Sequence, residues 1–267
     1  MTDSATMAAL MDKFLVGLLV FTRITGFFVS APLFKSPAIT TQVKIFLGFI
    51  LAGYITSAMW QEQPHIDFHL WNLVFLTLKE ALAGLLLGYA TSIVFFAARF
   101  GGALIDTDMG FQTGALFDRD SANPTLVGEL FELIALMVFL ALDGHLQLVE
   151  SIFISVRALP LNTFVLSEAT LAQLVKLLTS FMILGIKIAS PALIALFLTN
   201  LALTLLARVA PQTNIFMLSF QLKTAVGLTV LMLSTGVLVL VLRYALQSVQ
   251  QQTLGILLTL NPANVIK

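Results

Sequence analysis

Six long apolar runs constrain this chain more than any other feature: residues 14–34, 45–60, 70–98, 126–156, 171–207 and 215–246. A transmembrane helix needs roughly 20 predominantly apolar residues, at about 1.5 Å of rise each. Most of the runs meet that length. The composition points the same way. Hydrophobic residues make up 58% of the chain and charged residues 10%, whereas soluble domains carry roughly 25% charged residues. Too few polar side chains exist to cover a water-facing surface. The expected fold class is therefore all-α, an integral membrane helical protein, and 267 residues suit one bundle.

Two function classes fall away at once. Lys+Arg and Asp+Glu both count 14, so there is no basic field for nucleic acid. There is no cysteine, which excludes disulfides, thiolate metal sites and cysteine nucleophiles. The N-terminus is not a clear cleavable signal. Asp3 and Asp12 offset Lys13, and Arg23 interrupts the apolar stretch, so this segment is expected to be retained.

The runs are uneven. Residues 45–60 are short for a span, and residues 171–207 are far too long for one straight span. Pro191 sits near the middle of the latter and is expected to kink or break it. Pro-broken helices and hairpins are therefore expected, not simple rods. The connection at 99–125 is the longest polar stretch and holds Gly101, Gly102, Gly110, Gly114 and Pro124. In a six-span arrangement Lys35, Lys44, Arg99, Arg119 and Arg208 fall on one side, and Lys13 and Lys267 on the other. The positive-inside rule then places both termini outside.

Charges interrupt the apolar runs at Arg23, Lys79, Glu80, Glu129, Glu132, Lys176, Lys187 and Lys223. Each costs at least ~2.5–3.5 kcal/mol at the bilayer centre. They must pair, line water or meet partner chains. Lys176 and Lys187 are about three helical turns apart and share a face, as do Glu129 and Glu132. Two readings stay open: an ion or proton pathway, and charge pairing across subunits of a larger complex.

The motifs favour no catalysis. The glycine-rich stretch from Gly101 to Gly114 lacks the Lys-Ser/Thr pair and the preceding strand of a phosphate loop. It reads as an ordinary connection or as a flexible segment at a pore. Asp106-Thr-Asp108 and Asp118-Arg-Asp120 do not match a calcium loop and read as a solvated loop paired with Arg119. His65-x-Asp67-x-His69 lacks the glutamate and third ligand of a zinc hydrolase. Asp143-Gly144-His145 looks like a helix-ending turn at Gly144, not part of a triad. Gly84-Leu-Leu-Leu-Gly88 permits close helix approach. No cofactor, no metal and no enzymatic activity are expected.

Taken together, the motifs resemble the FliR/SctT family of flagellar and type III export-apparatus membrane proteins. The N-terminal match is Arg23-Ile-Thr-Gly26-Phe-Phe-Val-Ser-Ala-Pro32-Leu-Phe34. The central match runs from Ala98-Arg99-Phe-Gly101-Gly102 through Met109-Gly110 to Phe117-Asp118, and resumes at Asp143-Gly144-His145 and Ala158-Leu-Pro160. The C-terminal match is Ile188-Ala-Ser-Pro191, Asn200, then Ala207-Arg208-Val-Ala-Pro211-Gln212-Thr-Asn214-Ile-Phe216. The Asp-Gly-His turn with its Leu-Pro leans toward the flagellar branch. The pattern departs from the family at Asp108, where Gln is usual, and at Asp118-Arg119, where Asp-Pro is common.

The resemblance implies one copy of the chain in an export gate with FliP-like and FliQ-like subunits. An FlhB-like subunit wraps the cytoplasmic entrance. Unfolded flagellar proteins pass through the gate, in the bacterial inner membrane at the flagellar basal body. Parts of the chain then lie on the periplasmic side of the bilayer, and the C-terminus is cytoplasmic, against the charge count. It implies a FliP-like part over about 1–206 and a FliQ-like hairpin over about 207–267. It also implies a pore plug at Met109, Gly110, Phe111, Gln112, Thr113, Gly114, Leu116 and Phe117, with Phe216 and Met217 as a candidate gasket. Apolar side chains suit a constriction, and methionine fills irregular gaps. The interior charges, with Arg208 added, then read as buried groups at subunit contacts. The alternative is a stand-alone ion- or solute-coupled transporter using Lys176, Lys187 and the Glu129–Glu132 face.

Overall fold

The computed structural model describes residues 2–35, 39–60, 63–64, 69–111, 125–165, 167–212 and 214–260. Among them there is no strand, and the elements are eight helices. These are α1 (Thr2–Ser30), α2 (Pro32–Lys35), α3 (Thr41–Met59), α4 (Leu70–Met109), α5 (Leu126–Ala141), α6 (Gly144–Ala158), α7 (Glu168–Val209) and α8 (Ile215–Leu260). Five contain stretches long and apolar enough to cross a membrane: α1, α3, α4, α7 and α8. The protein is an all-α integral membrane protein, as its apolar runs require.

The helix bounds correct several expectations. Residues 126–156 form two helices, α5 and α6, separated by a turn. Asp143 is the left-handed residue of that turn, at φ 55°, while Gly144 already begins α6. Aspartate is one of the few non-glycine residues that visits this region readily. The stretch at 99–109 is not a connection at all, because α4 runs through Gly101, Gly102 and Asp106 to Met109. Gly110, at φ 84°, ends it.

Pro191 does not break α7, which is helical for 42 residues around it. Proline removes the N–H that would have met the Lys187 carbonyl four residues back. The Ser190 hydroxyl donates to that carbonyl instead, at 2.9 Å. Serine next to proline thus satisfies the freed acceptor, as helices in an apolar medium require.

The chain forms two compact units. The first comprises residues 1–93, 143–177 and 248–267, and the second residues 94–142 and 178–247. In the first unit α1 packs on α2, α3 and α6 around a core that includes Leu19, Ile24, Phe27, Ile55, Leu87 and Ile152. Glycines set the closest approach there. A Cβ on Gly84 would overlap the Arg23 carbonyl, and one on Gly88 would overlap the Phe27 carbonyl and Ser30. The small-residue pair read from the sequence is therefore where α1 and α4 cross backbone to backbone. The Ser30 hydroxyl, which donates to the Leu85 carbonyl at 3.0 Å, adds a bond across the crossing.

The first unit also ties two helix ends together. Ser167 caps α7, accepting from the Thr170 N–H at 3.2 Å. The hydroxyls of Ser167 and Thr170 both donate to the Thr259 carbonyl, at 3.3 and 3.0 Å, and the Val165 N–H reaches the Leu260 carbonyl at 3.3 Å. Carbonyls left open in the last turn of α8 thus find donors at the start of α7.

Candidate functional site

Two polar constellations stand inside the apolar helices, one in each unit. In the first unit Arg23 and Glu80 are 1% and 0% exposed. Arg23 Nε donates to Glu80 Oε2 at 2.6 Å, with Nη2 2.5 Å from the same oxygen. Its Nη1 donates to the carbonyls of Ser155 and Leu159, at 3.0 and 2.8 Å. Those carbonyls end α6, where the helix dipole favours a cation. The other carboxylate oxygen of Glu80 accepts from the Asn162 N–H at 3.2 Å. Asn162 sits at φ 70° in the turn after Pro160, and the Gln63 side chain accepts from the Leu161 N–H at 2.9 Å. One buried ion pair therefore fastens α1, α4 and the end of α6 to the Leu-Pro turn. Arg23 and Glu80 were expected to pair across subunits, and they pair within the chain.

In the second unit the last turns of α4 meet the start of α5. Asp106 is fully buried, and its carboxylate accepts from the Val127 N–H, at 3.2 and 3.0 Å to its two oxygens, and from the Gly128 N–H at 3.4 Å. These are the second and third N–H groups of α5, which have no partner inside the helix. Thr125 holds the N-cap position of α5 but makes no side-chain cap. Gly102 permits the contact, since a Cβ there would overlap the Gly128 backbone. Asp106 was expected in a solvated loop beside Arg119. It is a helix residue acting as a remote cap. The legible signal was position: Gly102, Asp106 and Met109 recur at helical spacing on one face.

Further side chains hold the end of α4 in the same unit. Met109 is fully buried against Gly227 of α8, where an added Cβ would meet its Cγ, Sδ and Cε within 2.9 Å. Phe111 packs edge-on to Phe220, with ring centroids 6.4 Å apart. Arg99 Nη1 donates to Glu132 Oε2 at 3.2 Å, a partly exposed pair. Gly101 and Gly185 bring α4 and α7 into backbone contact, beside the packed rings of Phe100 and Phe181.

The expected site residues separate accordingly. Met109, Gly110 and Phe111 are placed as above, while Gln112, Thr113, Gly114, Leu116 and Phe117 lie outside the described residues. So do Asp118-Arg119-Asp120 and all of His65-x-Asp67-x-His69 except His69. Phe216 and Met217 stand in the first turn of α8, 83% and 62% exposed. Asn214 sets that turn, its side-chain oxygen accepting from the Met217 N–H at 3.3 Å as an N-cap. Of the charges expected to be buried, Glu129, Lys176, Lys187 and Arg208 are exposed on the chain, and Lys79, Lys223 and Glu132 are half-buried. Among the described residues no group of three histidine, aspartate or glutamate side chains converges on a metal position.

The chain as a whole is similar to known proteins. A family model described as bacterial export proteins, family 1, matches residues 14–249, from within α1 to within α8. The chain belongs to this family. Its relatives include the flagellar biosynthetic protein FliR of Bacillus subtilis (strain 168), 31% identical over 244 residues, which cover 89% of this chain and 92% of the relative. FliR of Escherichia coli (strain K12) is 29% identical over 212 residues, covering 78% and 80%. The surface presentation of antigens protein SpaR of Shigella flexneri is 27% identical over 219 residues, covering 81% and 84%. The family match takes in both constellations and the exposed start of α8.

Proposed function

We propose that this chain is the FliR-type subunit of a flagellar type III protein export gate. In this reading it joins FliP-like and FliQ-like subunits in the bacterial inner membrane, at the flagellar basal body. An FlhB-like subunit contacts its cytoplasmic side, and unfolded flagellar proteins pass through the assembled channel. The observation that carries the reading is the family match across nearly the whole chain. The surface of the chain supports it. The most apolar windows of α7 and α8 are only 28% and 22% buried within the chain, against 67% for α4. Lys187 and Arg208 stand exposed on α7 among Ile183, Ile194, Phe197 and Leu205. Lipid alone is a poor neighbour for such lysines and arginines, whereas partner subunits supply counter-charges.

The segment after α4 is the plug of the closed pore in this reading, with Phe111 at its start. Deleting residues 110–114 should raise ion leakage through the assembled complex. Unchanged conductance would contradict the plug. The exposed Phe216 and Met217 at the head of α8 form the second constriction. Phe216→Ala should loosen the closed pore while leaving α8 intact, because Asn214 and not Phe216 caps it. Normal sealing in that variant removes Phe216 from the gasket.

A solute or ion transporter has less support. Lys176, Lys187 and Glu129 are exposed on the chain, and Glu132 is engaged with Arg99. An intramembrane enzyme has no supporting constellation among the described residues.

A further inference from the structure

We infer that the end of the α1–α3 hairpin carries a binding site for one anionic phospholipid, with an acyl chain in an apolar cavity and the phosphate at Lys44. The inference is independent of the export reading and uses only the first unit of a membrane protein.

The site follows from how the chain turns between two apolar helices. The apolar stretch of α1 ends at Ser30 and that of α3 begins at Thr41, and the two helices pack together, so both meet the headgroup level at this turn. Pro32, whose missing N–H costs nothing at the first position of a helix, starts the short α2 there. This helix carries Phe34 back onto Phe28, with ring centroids 4.0 Å apart. The two buried rings line a cavity of about 300 Å³, together with Val29, Ile45, Thr41 and Lys44. Its body is aromatic and aliphatic, and Thr41 and Lys44 stand at the start of α3. Val29 and Ile45 are exposed, so the cavity opens to the surroundings of the chain. A helix with its side chains is about 10–12 Å across and too wide for such a cavity, whereas an acyl chain is not. Charge selects the lipid. From residue 13 to residue 61 the sequence has no acidic residue, and the cations after Arg23 are Lys35 and Lys44. Arg23 is engaged with Glu80, which leaves the lysines to set the charge at this end of the hairpin. Thr40 makes no side-chain cap and the first turn of α3 has no acidic residue, so the positive end of that helix adds to the lysines.

The test uses the full chain purified in detergent, incubated with phosphatidylglycerol or phosphatidylethanolamine of the same acyl chains and read by native mass spectrometry. The parent should retain phosphatidylglycerol about fivefold more than phosphatidylethanolamine, the factor that goes with one lysine at an anionic surface. Lys44→Gln should bring the two close to parity. Val29→Trp, which places bulk at the cavity, should lower retention of both. Lys187→Gln, a control at an exposed lysine of α7, should keep the parent's preference. Thermal aggregation at the parent's temperature checks that each variant is folded. An unchanged preference in Lys44→Gln, or an equal loss in Lys187→Gln, would overturn the site. A photo-crosslinking residue at position 45, introduced in native membranes, reports the occupant without altering Lys44. Capture of phosphatidylglycerol supports the lipid site; capture of a protein segment in its place would overturn it.

Discussion

Glu80→Ala should be among the most damaging single substitutions in the chain, costing about 3–5 kcal/mol through an uncompensated buried charge. Arg23 would keep its bonds to the carbonyls of Ser155 and Leu159, but its charge would have no counter-ion at 1% exposure. The Asn162 N–H would lose its acceptor at the same time. The measurable outcome is a collapse in the amount of chain recovered from membranes in folded, detergent-resistant form. Glu80→Gln should fall between, because a side-chain carbonyl can still accept from Arg23. Replacing Arg23 and Glu80 together by methionine and leucine should recover part of the loss, since removing both charges also removes the burial cost. If Glu80→Ala accumulates and assembles like the parent, the ion pair is not what fastens α1, α4 and α6.

Gly84→Leu should be nearly as severe, for a steric reason. Even the Cβ of the new side chain would overlap the Arg23 carbonyl and come within 2.9 Å of the Phe27 N. Both are backbone atoms of a helix and cannot swing aside. Overpacking of this kind costs about 1–3 kcal/mol and more when backbone must move. Separating α1 from α4 also draws Arg23 off Glu80, so the two effects add in one direction. Gly53, which faces open space, is the control: Gly53→Ala should be neutral or slightly stabilising by helix propensity. The comparison can be read from thermal aggregation of the purified chain. Equal behaviour of Gly84→Leu and Gly53→Ala would contradict the close crossing.

Much of this was legible in the sequence, for reasons that can be named. The apolar runs give the helices because the length of a span is fixed by hydrocarbon thickness. Gly84 and Gly88 announced a close approach by their spacing. Residues 208–214 separate the last two apolar runs, and Pro211 and Asn214 lie in that gap between α7 and α8. Three things were harder to see. Pro191 reads as a breaker unless the neighbouring Ser190 is recognised as a donor to the freed carbonyl. Arg23 and Glu80 are 57 residues apart, and nothing local states that they meet. Asp106 lies among glycines and other polar residues, a composition shared by loops and by tightly packed helix ends. Only the partner helix, 21 residues on, reveals which one it is.

The exposed charges of α7 and the exposed apolar face of α8 remain the features that the isolated chain does not satisfy. A gate subunit satisfies them with neighbours; a stand-alone transporter must satisfy them with lipid. Gentle detergent extraction of the tagged chain, followed by identification and quantification of what co-purifies, decides between the two. The expected result is a stable complex of fixed stoichiometry with FliP-like and FliQ-like membrane subunits and one copy of this chain. Recovery of the chain alone, stable and binding a small solute, would contradict it.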